Sequence, residues 1–270
     1  MIERLIMKIL FIGDISAEPG RETVKAILPK LKEKHKPDIV IANCENAAGG
    51  IGVNKSILSE LQSYGIDYFT SGDHIWSIKK FVEELYDTNL PIVRPYNYEG
   101  SSQLPGKGYD IIDLGAKGSL VVINLIGQTF MNGHPRNPFW AIDELLIQLH
   151  QIPNLPKTII VDFHAEATSE KLCLAHYLRN RVSAVLGTHT HVPTCDQRII
   201  ENCAYVSDVG MVGSLDSSLW VNFEIAVHNL KFPFRKIMEV ETKGKMVFNS
   251  ILLEIEKGIA KKITRIDEII

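Results

Sequence analysis

No run in this 270-residue chain approaches the ~20 apolar residues that a membrane-spanning helix requires. The apolar start, MIERLIMKILFIGD, is interrupted by Glu3, Arg4 and Lys8, and no long apolar core or small-residue cleavage site follows it. It reads as a strand behind a short leader, with Met7 an alternative start to Met1. Cysteine is scarce. The four present, Cys44, Cys173, Cys195 and Cys203, form no C-x-x-C pair and are too irregularly spread for a disulfide framework, so reduced thiols and a cytoplasmic location are expected. An excess of one charge is missing too: 29 Lys and Arg against 32 Asp and Glu give a net charge of −3. That balance excludes a general attraction to nucleic acid or anionic membrane, and any phosphate must be held by a local cluster. Repeats, low-complexity segments and linkers are absent, which leaves one domain over residues 1–270.

What is there is an alternation of short apolar runs and helical spacings. Lys8 to Ile12 stops at Gly13-Asp14, and Arg21 to Lys34 then repeats apolar residues at Val24, Ile27, Leu28 and Leu31. Residues 37–42 form a second run, ending in Asn43-Cys44-Glu45-Asn46 and a glycine-rich turn before a helix over 53–64. A third run, 67–70, leads into Gly72-Asp73-His74 and a helix over 77–86.

The middle of the chain changes character. Residues 109–114 and 119–126 flank Gly115-Ala116-Lys117-Gly118 and predict a hairpin. Helices at 141–150 and 169–181 then alternate with strands at 158–162 and 183–186, and the tail from Ala204 reads as mostly strand. Residues 96–107, rich in Gly, Pro and Ser, suggest a long surface loop. Mixed α/β and hairpin patterns together predict two sheets packed face to face between helical layers.

Polar residues gather where the runs end. Asp14, Glu45, Asp73, His164, His189 and His191 each follow an apolar run, giving three carboxylates and three imidazoles. Ligands belong at such strand ends in α/β sheets. Asp14 or Asp73 alone would pass for a helix cap or turn former. Two histidines spaced H-x-H after a buried strand are not explained by capping, and that spacing suits a metal. Carboxylate and imidazole without thiolate favour manganese, iron or zinc. Glu45 is the expected bridging ligand, with Asn46 beside it adding an amide oxygen or orienting substrate. Asp162 or Glu166 is expected to orient His164. His35, His134, His150, His176 and His228 are expected to be structural, on helix faces, a loop or a late strand. Trp76, Tyr96 and Phe163 could stack on a base, although burial in the core is the commoner fate of such aromatics.

Residues 8–14, 45–50, 72–76, Arg94-Pro95 with Asn97, residues 162–171, 187–192 and 208–211 together resemble the metallophosphoesterase superfamily, and within it the YmdB-like phosphodiesterases. The resemblance implies a four-layer αββα sandwich with mixed sheets, a dinuclear site and hydrolysis of phosphodiesters such as 2′,3′-cyclic nucleotides. It assigns Asp14, Glu45 and His191 to one metal and Glu45, Asp73, His164 and His189 to the other, with Asn46 alongside. Iron or manganese is the expected pair, with zinc an alternative. A metal-bridging hydroxide would be the nucleophile and His74, beside Asp73 but not a ligand, the general acid. Substrates would be small cyclic nucleotides or RNA ends, and a homo-oligomer is implied.

Two positions stand out against the family pattern. Ser16 fills the slot where the broad superfamily has a histidine ligand, as in the YmdB-like branch. Asp73 replaces the asparagine of Gly-Asn-His, so three carboxylates and a hydroxide would neutralise two divalent ions. This predicts tighter metal retention, extending to Fe(III), with altered turnover. The alternatives are a weakly active or inactive metal-binding regulatory protein, which Asp73 would permit, and a phosphomonoesterase or nucleotidase sharing the same ligands.

Overall fold

Residues 6–100 and 103–270 are described in a computed structural model; the predicted leader before Ile6 lies outside them. In chain order the elements begin with β1 (Ile6–Ile12), β2 (Asp14–Ile15), α1 (Ala17–His35), β3 (Ile39–Asn43), α2 (Lys55–Ser63), β4 (Tyr68–Thr70) and α3 (Lys79–Glu84). They continue with β5 (Tyr109–Asp113), β6 (Ser119–Ile126), α4 (Pro138–Leu149), β7 (Thr158–His164), α5 (Thr168–Leu178) and β8 (Ala184–Thr188). The last third holds β9 (Arg198–Ile200), β10 (Cys203–Val206), β11 (Met211–Ser214), α6 (Phe223–Lys231), β12 (Met246–Glu256) and β13 (Ile259–Ile269).

These strands form two mixed sheets, β2-β11-β12-β1-β3-β4 with β13 on β12, and β5-β6-β7-β8-β10-β9. Side chains on a strand alternate between faces, and three separate cores follow from that alternation. Ile9 and Phe11 of β1, Ile39 and Ile41 of β3, and Ile251 and Leu253 of β12 meet Leu120, Val122, Ile160, Ala184 and Leu186 between the sheets. Leu10, Ile12, Val40 and Ala42 point the other way, onto α1 and α2 through Val24, Leu28, Leu58 and Leu61. On the far side, Val121, Ile123, Val161 and Val185 pack on α4 and α5 through Leu145, Leu149, Leu174 and Leu178. Helix, sheet, sheet and helix are therefore stacked with a dry layer at each joint. Strands covered on both faces need no polar alternation, which is why they read as continuous apolar runs.

The predicted hairpin forms, with β5 antiparallel to β6 in the register Tyr109↔Ile123. Neither suspected cap is one: the N-cap positions of α1 and α3 are Ser16 and Ile78, leaving Asp14 and Asp73 without a helix to cap. Within the predicted surface loop, Asn97 is buried and its amide bridges the backbone of Ile126 and Arg136, so the loop is pinned from inside. The tail departs from its strand reading at α6, which carries His228 on a helix rather than a strand and buries none of its residues. Its apolar residues Phe223, Ile225 and Val227 alternate along the chain, which is the spacing of a strand.

Phe11 is fully buried between the sheets. Replacing it with alanine is expected to cost about 3–5 kcal/mol of unfolding free energy, read by urea denaturation with an unchanged m-value. A loss below about 1 kcal/mol would show that this layer relaxes around the cavity.

Candidate metal centre

The turns that follow β3 and β4 in the first sheet, and β7 and β8 in the second, converge on one spot. Asp14 in β2, Glu45 after β3 and Asp73 after β4 bring carboxylates from the first sheet; His164 at the end of β7 and His189 and His191 after β8 bring imidazoles from the second. Glu45, Asp73, His164 and His189 each offer one donor atom, all within 4.8 Å of one another, a cluster able to hold a metal ion. His164 Nε2 lies 3.0 Å from Glu45 Oε1 and 3.4 Å from Asp73 Oδ1. His189 Nδ1 lies 3.1 Å from His164 Nε2 and 4.0 Å from Asp73 Oδ1. Beside this group, His191 Nε2 is 3.7 Å from Asp14 Oδ1 and 3.1 Å from Asn46 Nδ2. The side chains expected as ligands thus stand together.

Each imidazole is turned by a partner on its outer nitrogen. The Thr188 hydroxyl donates to Asp162 Oδ1 at 2.7 Å, so it accepts from His164 Nδ1 at 2.9 Å and leaves Nε2 facing the carboxylates. His191 Nδ1 donates to the Leu219 carbonyl at 3.0 Å, which leaves its Nε2 toward Asp14. His189 Nε2 sits 3.2 Å from Glu166 Oε2, leaving Nδ1 for the cluster. A partner that fixes the tautomer in this way is characteristic of metal-bound histidine. The H-x-H loop is held further by Asp208, which accepts from the Thr190 amide and hydroxyl and from Lys171, itself buried. His189 and His191 have φ of 97° and 65°. Two non-glycine residues in the left-handed region are strained, and strain of that kind persists where surrounding contacts impose it.

The electrostatics fit a cation. Asp14 and Glu45 are almost wholly buried, and Asp14 Oδ1 and Asp73 Oδ1 are shielded from solvent without a hydrogen-bond partner. An unpartnered buried oxygen costs free energy that a bound ion would offset. Burial pushes the Asp14 carboxyl well above its ordinary range. Burial would also raise Glu45 and Asp73, but His164 overrides it and holds both below their usual values. In return these carboxylates raise His164, against the effect of its own burial. Burial, with His164 next to it, lowers His189 to about 4, so that ring is neutral and free to ligate at neutral pH. Two carboxylates that raise the proton affinity of one buried imidazole mark a place where positive charge is favoured.

Gly72 makes the approach possible. A Cβ there would collide with Glu45 Oε2 and the His164 ring. His74, two residues further, donates its backbone N–H to Glu45 Oε2 at 3.0 Å. Its side chain lines a cleft of about 250 Å³ together with Glu45, Asn46, His189, Thr190 and Trp220.

Some of these contacts differ from the sequence expectation. Glu166 meets His189 rather than His164, because it lies past the end of β7, whereas Asp162 reaches His164 only through Thr188. Thr188 immediately precedes the H-x-H stretch, and nothing in the local pattern marks it as the hydroxyl between His164 and Asp162. The aromatic ring on the cleft is Trp220, packed over Gly50. Phe163 is buried in the core; Tyr96 borders a different cavity, and Trp76 packs edge-on against Tyr98. Nothing in the local pattern around Leu219 and Trp220 announces that they fold over a site whose other parts lie far away in sequence. His35, His134, His150, His176 and His228 stand outside the cluster.

Two mixed sheets between helical layers, with donors converging where strands of both sheets end, define a metallophosphoesterase-like αββα sandwich. The chain belongs to the YmdB-like protein family, whose pattern matches residues 10–266. It is 41% identical over 268 residues to the 2′,3′-cyclic-nucleotide 2′-phosphodiesterase of Bacillus subtilis (strain 168), covering 98% of this chain and 97% of that one. A solved structure of a phosphatase from Mycoplasma pneumoniae superimposes with a TM-score of 0.90 at 30% identity, over 98% of this chain and 94% of the other. A hypothetical protein from Thermus thermophilus superimposes with a TM-score of 0.88 at 37% identity, over 97% and 99%.

Gly72→Ala is expected to push Glu45 and His164 apart and weaken Mn²⁺ binding at least about tenfold, measured by isothermal titration, with an unchanged far-UV circular dichroism spectrum. Wild-type affinity in that variant would show that the cluster tolerates a wider spacing.

Proposed function

We propose that this protein is a metal-dependent phosphodiesterase that opens 2′,3′-cyclic nucleotides. The observation that carries the reading is the meeting of Glu45, Asp73, His164 and His189 across the sheets, with Asp14 and His191 beside them and with Asp14 Oδ1 and Asp73 Oδ1 left without hydrogen bonds. The named activity of the Bacillus subtilis relative, at 41% identity along nearly the whole chain, supplies the substrate class. Residues 1–270 act as one domain, an assignment supported by the core shared between both sheets. Exposed free Cys173 and Cys195 support a reducing, cytoplasmic setting.

The donor set would hold two ions, one through Asp14, Glu45 and His191 and the other through Glu45, Asp73, His164 and His189. Iron or manganese suits these ligands. When bound, such ions supply Lewis-acid polarisation of phosphoryl oxygens and a hydroxide nucleophile at neutral pH. The chain's own contribution is orientation and proton delivery. Asn46, whose Nδ2 reaches Glu45 Oε1 and His191 Nε2, keeps those two side chains in place. His74 borders the cleft without belonging to the cluster and donates a proton to the leaving sugar oxygen as its bond to phosphorus breaks. Glu45 fixes the His74 backbone and thereby aims the acid at the reacting group.

Asp73 adds a third carboxylate. Opposite charges ~4 Å apart at an effective dielectric of ~20 interact by roughly 4 kcal/mol, enough to strengthen ion retention markedly. That observation also favours the second reading, a regulatory protein that keeps its ions and turns over slowly.

Purified protein supplied with Mn²⁺ or Fe²⁺ is expected to hydrolyse 2′,3′-cyclic AMP, and both EDTA and His189→Ala are expected to abolish turnover. Two bound ions without turnover would favour the regulatory reading. His74→Ala is expected to keep its metal and lose about 10²-fold or more on substrates with poor leaving groups, while a p-nitrophenyl ester suffers far less; equal losses would remove His74 from the acid role. Asp73→Asn is expected to lose metal faster during dialysis against a chelator, measured by elemental analysis, and unchanged metal content and rate would refute a special role for that charge.

A further inference from the structure

Among the described residues that line the metal cleft, Leu219 and Trp220 are the two apolar ones; their neighbours there are acids, imidazoles, Asn46 and Thr190. Trp220 takes part in none of the three apolar cores. An aromatic ring inside a core is the ordinary outcome of folding. A half-buried indole set beside Glu45, His74 and His189 is not.

The backbone follows an unfavourable path to put the ring there. Leu219 and Trp220 have φ of 62° and 117°, a left-handed conformation that bulky side chains avoid. Surrounding contacts impose it. Ser218 and Val221 exchange both backbone hydrogen bonds, at 2.8 and 3.1 Å, and close the turn. The Ser217 hydroxyl accepts from the Trp220 amide at 2.9 Å, and the Trp220 carbonyl accepts from the Glu241 amide at 2.8 Å. The Leu219 carbonyl accepts from His191 Nδ1. The six-membered ring of the indole rests against Gly50, where a Cβ would stand 2.6–2.8 Å from three of its carbons. Gly50 belongs to the loop that follows Glu45 and Asn46. The ring is therefore tied to the loop carrying Glu45 and, through Leu219, to His191.

A fixed aromatic surface beside a centre suited to phosphate is a seat for a nucleobase. Ligand sites pair apolar walls with a few polar groups that fix orientation, and every base has a π-face that can stack. In a 2′,3′-cyclic nucleotide one ribose ring bears both the phosphate and the base, so a base must lie against a wall close to the cluster. Leu219, 44% exposed, extends that wall. Neither Trp76, packed against Tyr98, nor Tyr96, on another cavity, shares it.

We propose that Trp220 is a specificity-determining residue, stacking on the base of a 2′,3′-cyclic nucleotide whose phosphate lies against the cluster, and that it favours purines over pyrimidines. A purine covers more of an indole than a pyrimidine does. The proposal rests on the hydrolase reading above.

The test measures kcat/KM of the Mn²⁺-loaded full chain on 2′,3′-cyclic AMP, 2′,3′-cyclic CMP and ethylene phosphate, a five-membered cyclic diester with neither sugar nor base. The wild type is expected to favour the adenine substrate over the cytosine one by about threefold or more. Trp220→Ala is expected to raise KM for cyclic AMP about tenfold or more, to level the two nucleotides, and to lose far less on ethylene phosphate. Trp220→Phe is expected to keep part of the adenine preference. In a separate titration, adenosine 3′-monophosphate is expected to quench tryptophan emission in the wild type and not in Trp220→Phe. Equal losses on cyclic AMP and ethylene phosphate, or loss of bound metal in Trp220→Ala, would make Trp220 a prop for His191 and overturn the proposal. So would quenching that persists in Trp220→Phe. Turnover of none of the three diesters would overturn the hydrolase reading together with this extension, whereas turnover without a preference between the bases overturns this extension alone.

Discussion

Three carboxylates brought out of water beside three imidazoles, with no described lysine or arginine at contact distance, set the terms for the rest of this structure. Among the described residues, the ionisable partners at contact distance from Asp14, Glu45 and Asp73 are histidines, not lysine or arginine. Leaving a buried carboxylate without a fixed counter-charge is expensive. The surrounding side chains are organised around that cost: Thr188, Leu219 and Glu166 turn each imidazole so that a lone pair or a proton faces the acids. Lysine does appear nearby, as buried Lys171, but it is paired with Asp208 beneath the H-x-H loop.

The layered architecture makes this arrangement sustainable. Parallel strands with apolar faces on both sides bury large areas without polar compromise, so the sheets hold rigidly and the strained turns at their ends can be tolerated. His189 and His191 adopt left-handed backbone conformations where β8 ends just before them and Asp208 pins Thr190 between them. The strain sits where the donors must be aimed.

How much of this is legible in the sequence differs from part to part for physical reasons. Buried strands announce themselves, since Ile39 to Ala42 or Ile159 to Val161 have no solvent to satisfy, and the polar residue that ends each run is then conspicuous. H-x-H is readable because both histidines share a loop at one strand end. Glu166 pairs with a different imidazole from the one its sequence position suggests, because proximity along the chain says little about direction once a strand has ended. Thr188, Asp208 and Trp220 act across the fold, through a hydroxyl relay, a salt bridge and a cover over Gly50, and local patterning carries no trace of that. Helix α6 reads as strand because Phe223, Ile225 and Val227 are spaced i, i+2, i+4, the alternation of a strand.

The division of donors between the sheets has a consequence of its own. All the acids come from one sheet and all the imidazoles from the other, so neither half has a site by itself. An ion taken up there acts as a rivet through the joint, and its binding free energy adds to the cohesion of the two halves. Any slippage of one sheet across the other would be felt first as lost affinity, long before the apolar layer came apart. The occupied centre would then serve as a gauge of whether the sandwich is fully closed.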